Sequence, residues 1–256
     1  MSVVPVLELI DVSRRFGGLR AVDGVTLSLG RGISAIIGPN GAGKTTLFNL
    51  ISGLLPPSAG RIQLHGQDIT HLKAHARARL GMARTLQIKS VFPALSVYEN
   101  VWIAARQRYR PLDPFGLWRR DRATAAEAEA ALEEVGLTGC ADMAAGSLSY
   151  GDVARLEIAM ALAQRPSLLL LDEPVCGMSP AETEQAVALI RRIGERTDVV
   201  IIEHDMEVVF GLAERIVVLA QGRVLADGPP AAIAADPAVQ EAYLGQGEDE
   251  EEAVHG

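Results

Sequence analysis

No apolar run in this 256-residue chain approaches the ~18 residues that a membrane span requires, although 48% of the residues are hydrophobic. Met1 to Ile10 place no basic region before an apolar stretch, so a secretion signal is not expected. Any membrane association is therefore expected to come through a partner. Cysteine is scarce: Cys140 and Cys176 form neither a metal-like spacing nor a disulfide framework, which suits a reducing cytosol. Basic charge is not in excess either. The net charge is −8, and Glu248, Asp249, Glu250, Glu251 and Glu252 supply five of those charges, leaving about −3 elsewhere. Nucleic-acid binding usually shows a basic footprint, so nucleic acid is not an expected partner. The glycine-rich stretch from Gly38 to Thr46 is not repeated along the chain, and there is no long heptad run.

What is present centres on Gly38-Pro39-Asn40-Gly41-Ala42-Gly43-Lys44-Thr45-Thr46. This stretch fits the phosphate-binding pattern G-x-x-x-x-G-K-S/T. Glycines let the backbone wrap closely, so that several N–H groups converge on phosphate oxygens. Lys44 would reach the β- and γ-phosphates of a bound nucleotide, and the Thr45 hydroxyl would ligate Mg²⁺. Four fixed positions arise by chance in roughly one chain in a hundred of this size. The context removes that coincidence. Ile33 to Ile37 reads as a short buried strand, and Leu47, Leu50, Ile51 and Leu54 have helical spacing over Thr45 to Leu54. A helix N-terminus then points at the anion.

Before the loop, Val6 to Val12 and Val25 to Leu29 alternate as half-buried antiparallel strands do. Arg14 to Gly18 forms a turn between them, where Phe16 reads on its own as a core aromatic beside a turn. After it, Leu55 to Gly60 is turn chemistry, and Arg61 to Leu64 and Gly66 to Ile69 give a short strand and turn. His65, His71 and His75 have no ligating companions and read as surface residues. Gly81 to Gln87 is a buried strand, with Gln87 ending it. Helical patterns cover Ser96 to Gln107 and Thr124 to Val135, joined by a linker from Tyr109 to Asp121. Trp102, Phe115 and Trp118 suit either a core or a partner-facing role. A further helix is expected from about Ser149 to Ala163. Ser149 serves there either as a plain N-cap or, with Gly151, as part of a second phosphate-binding helix terminus.

Leu168 to Leu171 is a continuous apolar run followed by Asp172, Glu173 and Pro174, and such a run suits a parallel strand buried on both faces. Acids at its carboxyl end fall where ligands bind in open α/β sheets. Asp172 would hold Mg²⁺ and Glu173 would orient or activate water. Val199 to Ile202 followed by Glu203-His204-Asp205 repeats the design, with His204 as a γ-phosphate contact or a cap. Arg215 to Ala220 and Arg223 to Ala226 read as a hairpin, and two short helices close the chain near Leu244.

The phosphate loop, Gln87, Leu148-Ser149-Tyr150-Gly151-Asp152, Asp172-Glu173 and His204, in this order and spacing, make the chain resemble the ATP-binding subunit of ABC transporters. The likeness spans roughly Val6 to Gly245. It implies an α/β fold: a P-loop nucleotide-binding core with a mostly parallel sheet, a small antiparallel β subdomain and an inserted helical subdomain. In domain terms, residues 1–247 would be the ATP-binding domain, about 89–163 its helical insert, and 248–256 an acidic tail. Ala83-Arg84-Thr85-Leu86-Gln87, Ile202 to Met206 and Glu241-Ala242-Tyr243-Leu244-Gly245 resemble the branched-chain amino acid importer subfamily in particular. That implies an ATPase at the cytoplasmic face of the membrane, paired with a second ATPase subunit, two permeases and, indirectly, a substrate-binding protein. It also implies that Phe16 stacks on adenine, that Gln87 senses the γ-phosphate and Mg²⁺, and that Leu148 to Asp152 grip ATP held by the opposite subunit.

The same ATPase design serves urea or amide import, lipid or lipopolysaccharide export, and soluble factors. The soluble factors usually carry two ATPase halves, zinc cysteines or coiled coils, none of which is seen here. Three departures from the family pattern stand out. Tyr150 replaces a glycine, Val153 and Ala154 stand where polar or basic residues are usual, and Ser179 stands where the wider family has Asp.

Overall fold

The computed structural model describes residues 5–85, 91–107 and 117–243, without the side chains of 117–121. In chain order the elements are β1 (Leu7–Phe16), β2 (Leu19–Leu29), β3 (Ile33–Ile37), α1 (Lys44–Ser52), β4 (Ala59–Leu64), β5 (Gln67–Asp68) and α2 (Ala74–Arg79). Next come β6 (Met82–Arg84), α3 (Val97–Arg106), α4 (Leu117–Val135), α5 (Tyr150–Leu162), β7 (Leu168–Asp172) and α6 (Pro180–Gly194). The chain continues with β8 (Asp198–Ile202), α7 (Met206–Leu212), β9 (Arg215–Ala220), β10 (Arg223–Gly228) and α8 (Pro230–Ala234), then a helical stretch at 237–243. Two compact units result. One comprises the chain up to Leu80 together with that from Gly194 onward; the other is Gly81–Ile193.

The first unit holds two sheets. The antiparallel one has the order β2-β1-β4-β5. Both hairpin strands run longer than their sequence alternation suggests, because the register between β1 and β2 shifts three times. Asp11 sits at φ 53, and each shift resets the inward–outward phase that the pattern depends on. In the other sheet β3 lies parallel to both β8 and β9, and β9 pairs antiparallel with β10. All five residues of β3 are buried, as are the last four of β8, so these apolar runs are covered on both faces. α1 stops at Ser52, two residues short of the expected end, because Gly53 turns left-handed and Leu54 N bonds back to Asn49 O.

The end of α1 has an unusual partner. Arg77 on α2 is 1% exposed and donates to Leu50 O and Ile51 O at 2.6 Å, to Leu72 O at 2.9 Å and to Thr70 O at 3.0 Å. A cation here satisfies C-terminal helix carbonyls and lies at the negative end of the helix dipole. Burial pulls its pKa down to about 10.

In the second unit α3, α4 and α5 pack on one another, and β6 pairs parallel with β7. α3 opens with a capping box between Ser96 and Glu99. The Asn100 side chain, fully buried, bonds Phe92 N, Phe92 O and Ser96 O and so pins the loop before α3. α4 begins at Leu117, inside the stretch read from sequence as linker; no Gly or Pro interrupts the chain from Leu117 to Val135. Trp102 is half-buried, with the Arg106 guanidinium 4.9 Å from its ring centre. His65, His71 and His75 are exposed as expected, and no metal-binding cluster of His, Cys, Asp or Glu occurs among the described residues.

Candidate active site

In the first unit the loop after β3 is built by close backbone contacts. Gly38 (φ 149) and Gly43 (φ 99) occupy conformations a side chain resists. A Cβ at Gly38 would stand 2.1 Å from Leu219 O, and one at Gly43 2.3 Å from Ala21 O. Gly222 N bonds Ala42 O at 3.0 Å, tying the β9–β10 turn to the loop. Gly43 is the N-cap of α1; no side chain caps it and no acid lies in the first turn. The positive end of α1 therefore meets the loop without a protein carboxylate of its own helix to neutralise it. Lys44 is 7% exposed, and its Nζ donates to Gly38 O at 2.6 Å and Pro39 O at 3.0 Å, arching over the loop. Asn40, Gly41 and Thr45 are exposed, Pro39 and Thr46 half-buried, and Ala42 buried.

Two further candidates belong to this unit. Ile36 pairs with Ile202, so the residues after β3 and β8 leave the sheet along the same edge. His204 is exposed there, held from behind by buried Glu203, whose Oε2 accepts from the His204 amide at 2.9 Å. Asp205 accepts from Glu207 N at 2.9 Å and caps α7. Phe16 is 43% exposed, with the Arg14 guanidinium 4.7 Å from its ring centre. The core-aromatic reading of Phe16 is thereby corrected: it sits at a hairpin end with much of its ring exposed.

In the second unit Asp172 ends β7 almost fully buried. Its Oδ2 accepts from Arg84 Nη2 at 2.7 Å, with the two side chains 1% and 8% exposed. Its Oδ1 is buried without a hydrogen-bond partner. Such an atom is costly unless a donor or cation takes it. Glu173 follows at φ 49, a left-handed conformation rare for this residue type, and turns the chain sharply so that Cys176 N closes on Glu173 O. A cavity of about 270 Å³ opens here, lined by Asp172, Glu173, Thr85, Tyr150, Val153 and Glu157 among others. Asp172 and Glu173 thus share a cavity with the start of α5.

Ser149 caps α5, accepting from Asp152 N at 3.1 Å and donating to Asp152 Oδ2 at 2.9 Å; Asp152 also pairs with Arg155. Leu148 is half-buried, while Ser149 and Tyr150 are exposed. Val153 is buried and Ala154 half-buried, and both line the cavity beside Asp172 and Glu173. Ser179 caps α6 through a capping box: Glu182 Oε2 accepts from its amide at 2.9 Å and its hydroxyl at 2.7 Å. Ser179 therefore serves as the N-cap here, and its hydroxyl also donates to Glu182, which an ionised Asp could not do. Glu182 also reaches Gly151, where a Cβ would stand 2.7 Å from Oε1, and the bonds from Ser179 hold its carboxyl below the usual range. Gln87 lies outside the described residues.

Reading by motif passed over Arg77 and Glu182, and quoted Arg84 and Tyr243 within subfamily motifs without giving either a role. Arg84 had a signal in sequence, a lone cation in an otherwise apolar strand. Tyr243, on the 237–243 stretch, has a buried hydroxyl whose polar neighbour is the Gly38 backbone, and burial pushes its phenol up to about 12.

Comparison with known proteins decides the family. Residues 22–176 match the ABC transporter family, and residues 223–249 match the branched-chain amino acid ATP-binding cassette transporter family. The chain belongs to the ABC transporter family. The high-affinity branched-chain amino acid transport ATP-binding protein BraF of Pseudomonas aeruginosa is 41% identical, over 94% of this chain and 98% of its own. The protein of the same description, LivG, from Escherichia coli K12 is 40% identical with the same coverage. The ADP conformation of an ABC transporter cassette superposes with a TM-score of 0.83 at 27% identity, over 95% of this chain and all of that one. This ABC cassette is an α/β P-loop ATPase: it binds ATP and hydrolyses it. Among the described residues no helix is long and apolar enough to cross a membrane. As an ATP-binding subunit of an ABC transporter it works with membrane permeases.

Proposed function

We propose that this ABC ATPase powers import of branched-chain or other apolar amino acids from the cytoplasmic face of the membrane. The observation that carries the substrate class is the match at residues 223–249. That segment lies outside the motifs every ABC ATPase shares, so its likeness reports the subfamily and not ATP chemistry alone. The assembly we propose holds a second ATPase subunit, two permeases and a substrate-binding protein. In domain terms, residues 1–247 form the cassette, 89–163 its helical insert and 248–256 an acidic tail.

Within the cassette, the N–H groups of the Gly38 to Thr46 loop (Pro39 has none) and the Lys44 ammonium hold the β- and γ-phosphates, and Phe16 stacks on adenine. Thr45, Asp172 and Gln87 would hold Mg²⁺. The orphaned Oδ1 of Asp172 fits that assignment, since a cation satisfies a buried carboxylate oxygen that has no donor. When bound, the ion would neutralise charge on the phosphate oxygens. Glu173 accepts a proton from the attacking water, and His204 donates to the γ-phosphate. Catalysis is positioning plus charge neutralisation, as in other P-loop NTPases.

Leu148 to Asp152 act on a different ATP. Lys44 and Ser149 each mark the positive end of a helix, α1 and α5. We assign them to opposite subunits of a head-to-tail pair, so that one ATP lies between the loop of one and the α5 start of the other. Reconstitution with the cognate permeases and binding protein, assayed with a substrate panel, tests the function. Leucine, isoleucine or valine should stimulate hydrolysis. Stimulation confined to urea, amides or lipid would overturn the substrate class.

A further inference from the structure

We infer that Arg84 is a positioning residue for the metal-binding carboxylate, taking one oxygen of Asp172 so that the other is presented to the cation. This rests on the assignment of Asp172 as a metal ligand. Both residues belong to the second unit, on the adjacent parallel strands β6 and β7, where Arg84 pairs in register with Leu170. The strand pairing continues one residue further, Thr85 N bonding Leu170 O at 3.0 Å. The Arg84 backbone is thus fixed beside the end of β7. Its guanidinium then meets Oδ2 at 2.7 Å with the pair almost wholly shielded from water. In low dielectric such a contact fixes one carboxylate orientation firmly.

The asymmetry of Asp172 is the telling feature. Oδ2 is bonded, whereas Oδ1 is equally buried and has no partner. A carboxylate present only to pair with Arg84 would be expected to use both oxygens, since Arg and carboxylate favour a two-bond fork. Here the guanidinium approaches one oxygen, which leaves the second as an open acceptor already aligned. The arrangement is that of an outer residue orienting a ligand that itself touches the metal. Arg84 also lines a smaller cavity of about 110 Å³ with Ala104, Gln107 and Glu157, so it stands between β7 and the helices α3 and α5.

The test measures Mn²⁺ binding to the purified full-length chain with saturating ADP, read from the free-Mn²⁺ resonance, beside ADP affinity without metal. Arg84→Met should weaken Mn²⁺ binding about tenfold or more, the loss typical of removing an outer partner of a metal ligand. Its metal-free ADP affinity should stay within about twofold, because Arg84 touches no nucleotide in this account. Arg84→Lys should recover much of the loss and Arg84→Gln less, since the first keeps the charge. If Arg84→Met fails to fold, the Lys and Gln variants decide: equal metal affinities, or Gln the better, would overturn the proposal. Asp172→Asn separates the two layers. If it leaves Mn²⁺ affinity unchanged, the assignment of Asp172 as ligand fails. If it weakens binding and Arg84→Met does not, the role of Arg84 alone fails.

Discussion

Replacing Arg77 by Met removes the donor that closes the phosphate-loop helix at its far end, and the structure gives the size of the effect. Four carbonyls, those of Leu50, Ile51, Thr70 and Leu72, accept from this one guanidinium at 2.6 to 3.0 Å. Hydrogen bonds to a charged group contribute about 1.5–3 kcal/mol each net of ordinary solvation, so four set an upper bound of roughly 6–12 kcal/mol. Against it stands the burial of the cation, large enough to lower its pKa to about 10. Met fills a similar volume and relieves that burial, but leaves the buried carbonyls short of a donor at about 1–3 kcal/mol each. Ile51 O and Thr70 O are the most exposed to this loss, because Leu50 O also accepts from Gly53 N. The expected net cost is about 3 kcal/mol, or about 6–12 °C in the melting temperature of a domain this size. Urea denaturation of the nucleotide-free chain measures it. A loss below about 1 kcal/mol would refute the claim that Arg77 holds the end of α1, since it is less than one buried acceptor should cost.

Two further outcomes are expected. Glu173→Gln should keep ATP binding and lose at least about a hundredfold in turnover, because the water loses its acceptor while the phosphate contacts stay; near-normal hydrolysis by the purified variant would exclude Glu173 as base. Gly151→Ala should cost at most about 1 kcal/mol, because its Cβ displaces the flexible Glu182 carboxylate and weakens the cap of α6 while Ala favours helix α5. Combined with Glu182→Ala the two losses should fall short of their sum, and strict additivity in the double-mutant cycle would show the two residues to be uncoupled.

The parts of the fold that read clearly from sequence are those specified locally. The glycine spacing of the phosphate loop, the apolar runs of β3, β7 and β8, and the Ser149 cap each lie within a dozen residues. The hairpin of β1 and β2 read short because its bulges interrupt the alternation. α2, α6 and α7 went unread, although Ala186, Leu189, Ile190 and Ile193 of α6 carry helical spacing and are buried. Of the candidate site, the chemistry-bearing residues were legible but not their supports. Arg84 meets Asp172 across 88 residues, and Arg77 meets Leu50 across 27, so no window along the chain displays either pair. Phe16 read as core because an aromatic beside glycines looks the same whether the turn is covered or bare. Only the fold shows it bare.

The composite site is the claim on which the mechanism depends, and one covalently linked pair of chains tests it. One copy carries Lys44→Ala, the other Ser149→Arg. In a head-to-tail pair this leaves one site with both defects and one built wholly from intact parts, the loop of the second copy and the α5 start of the first. The account predicts that the linked pair binds ATP at that intact site and recovers hydrolysis, whereas linked pairs carrying one substitution in both copies stay inactive. A mixed pair as inactive as those controls, with no ATP held at the intact site, would show that Leu148 to Asp152 do not complete the site of the opposite subunit.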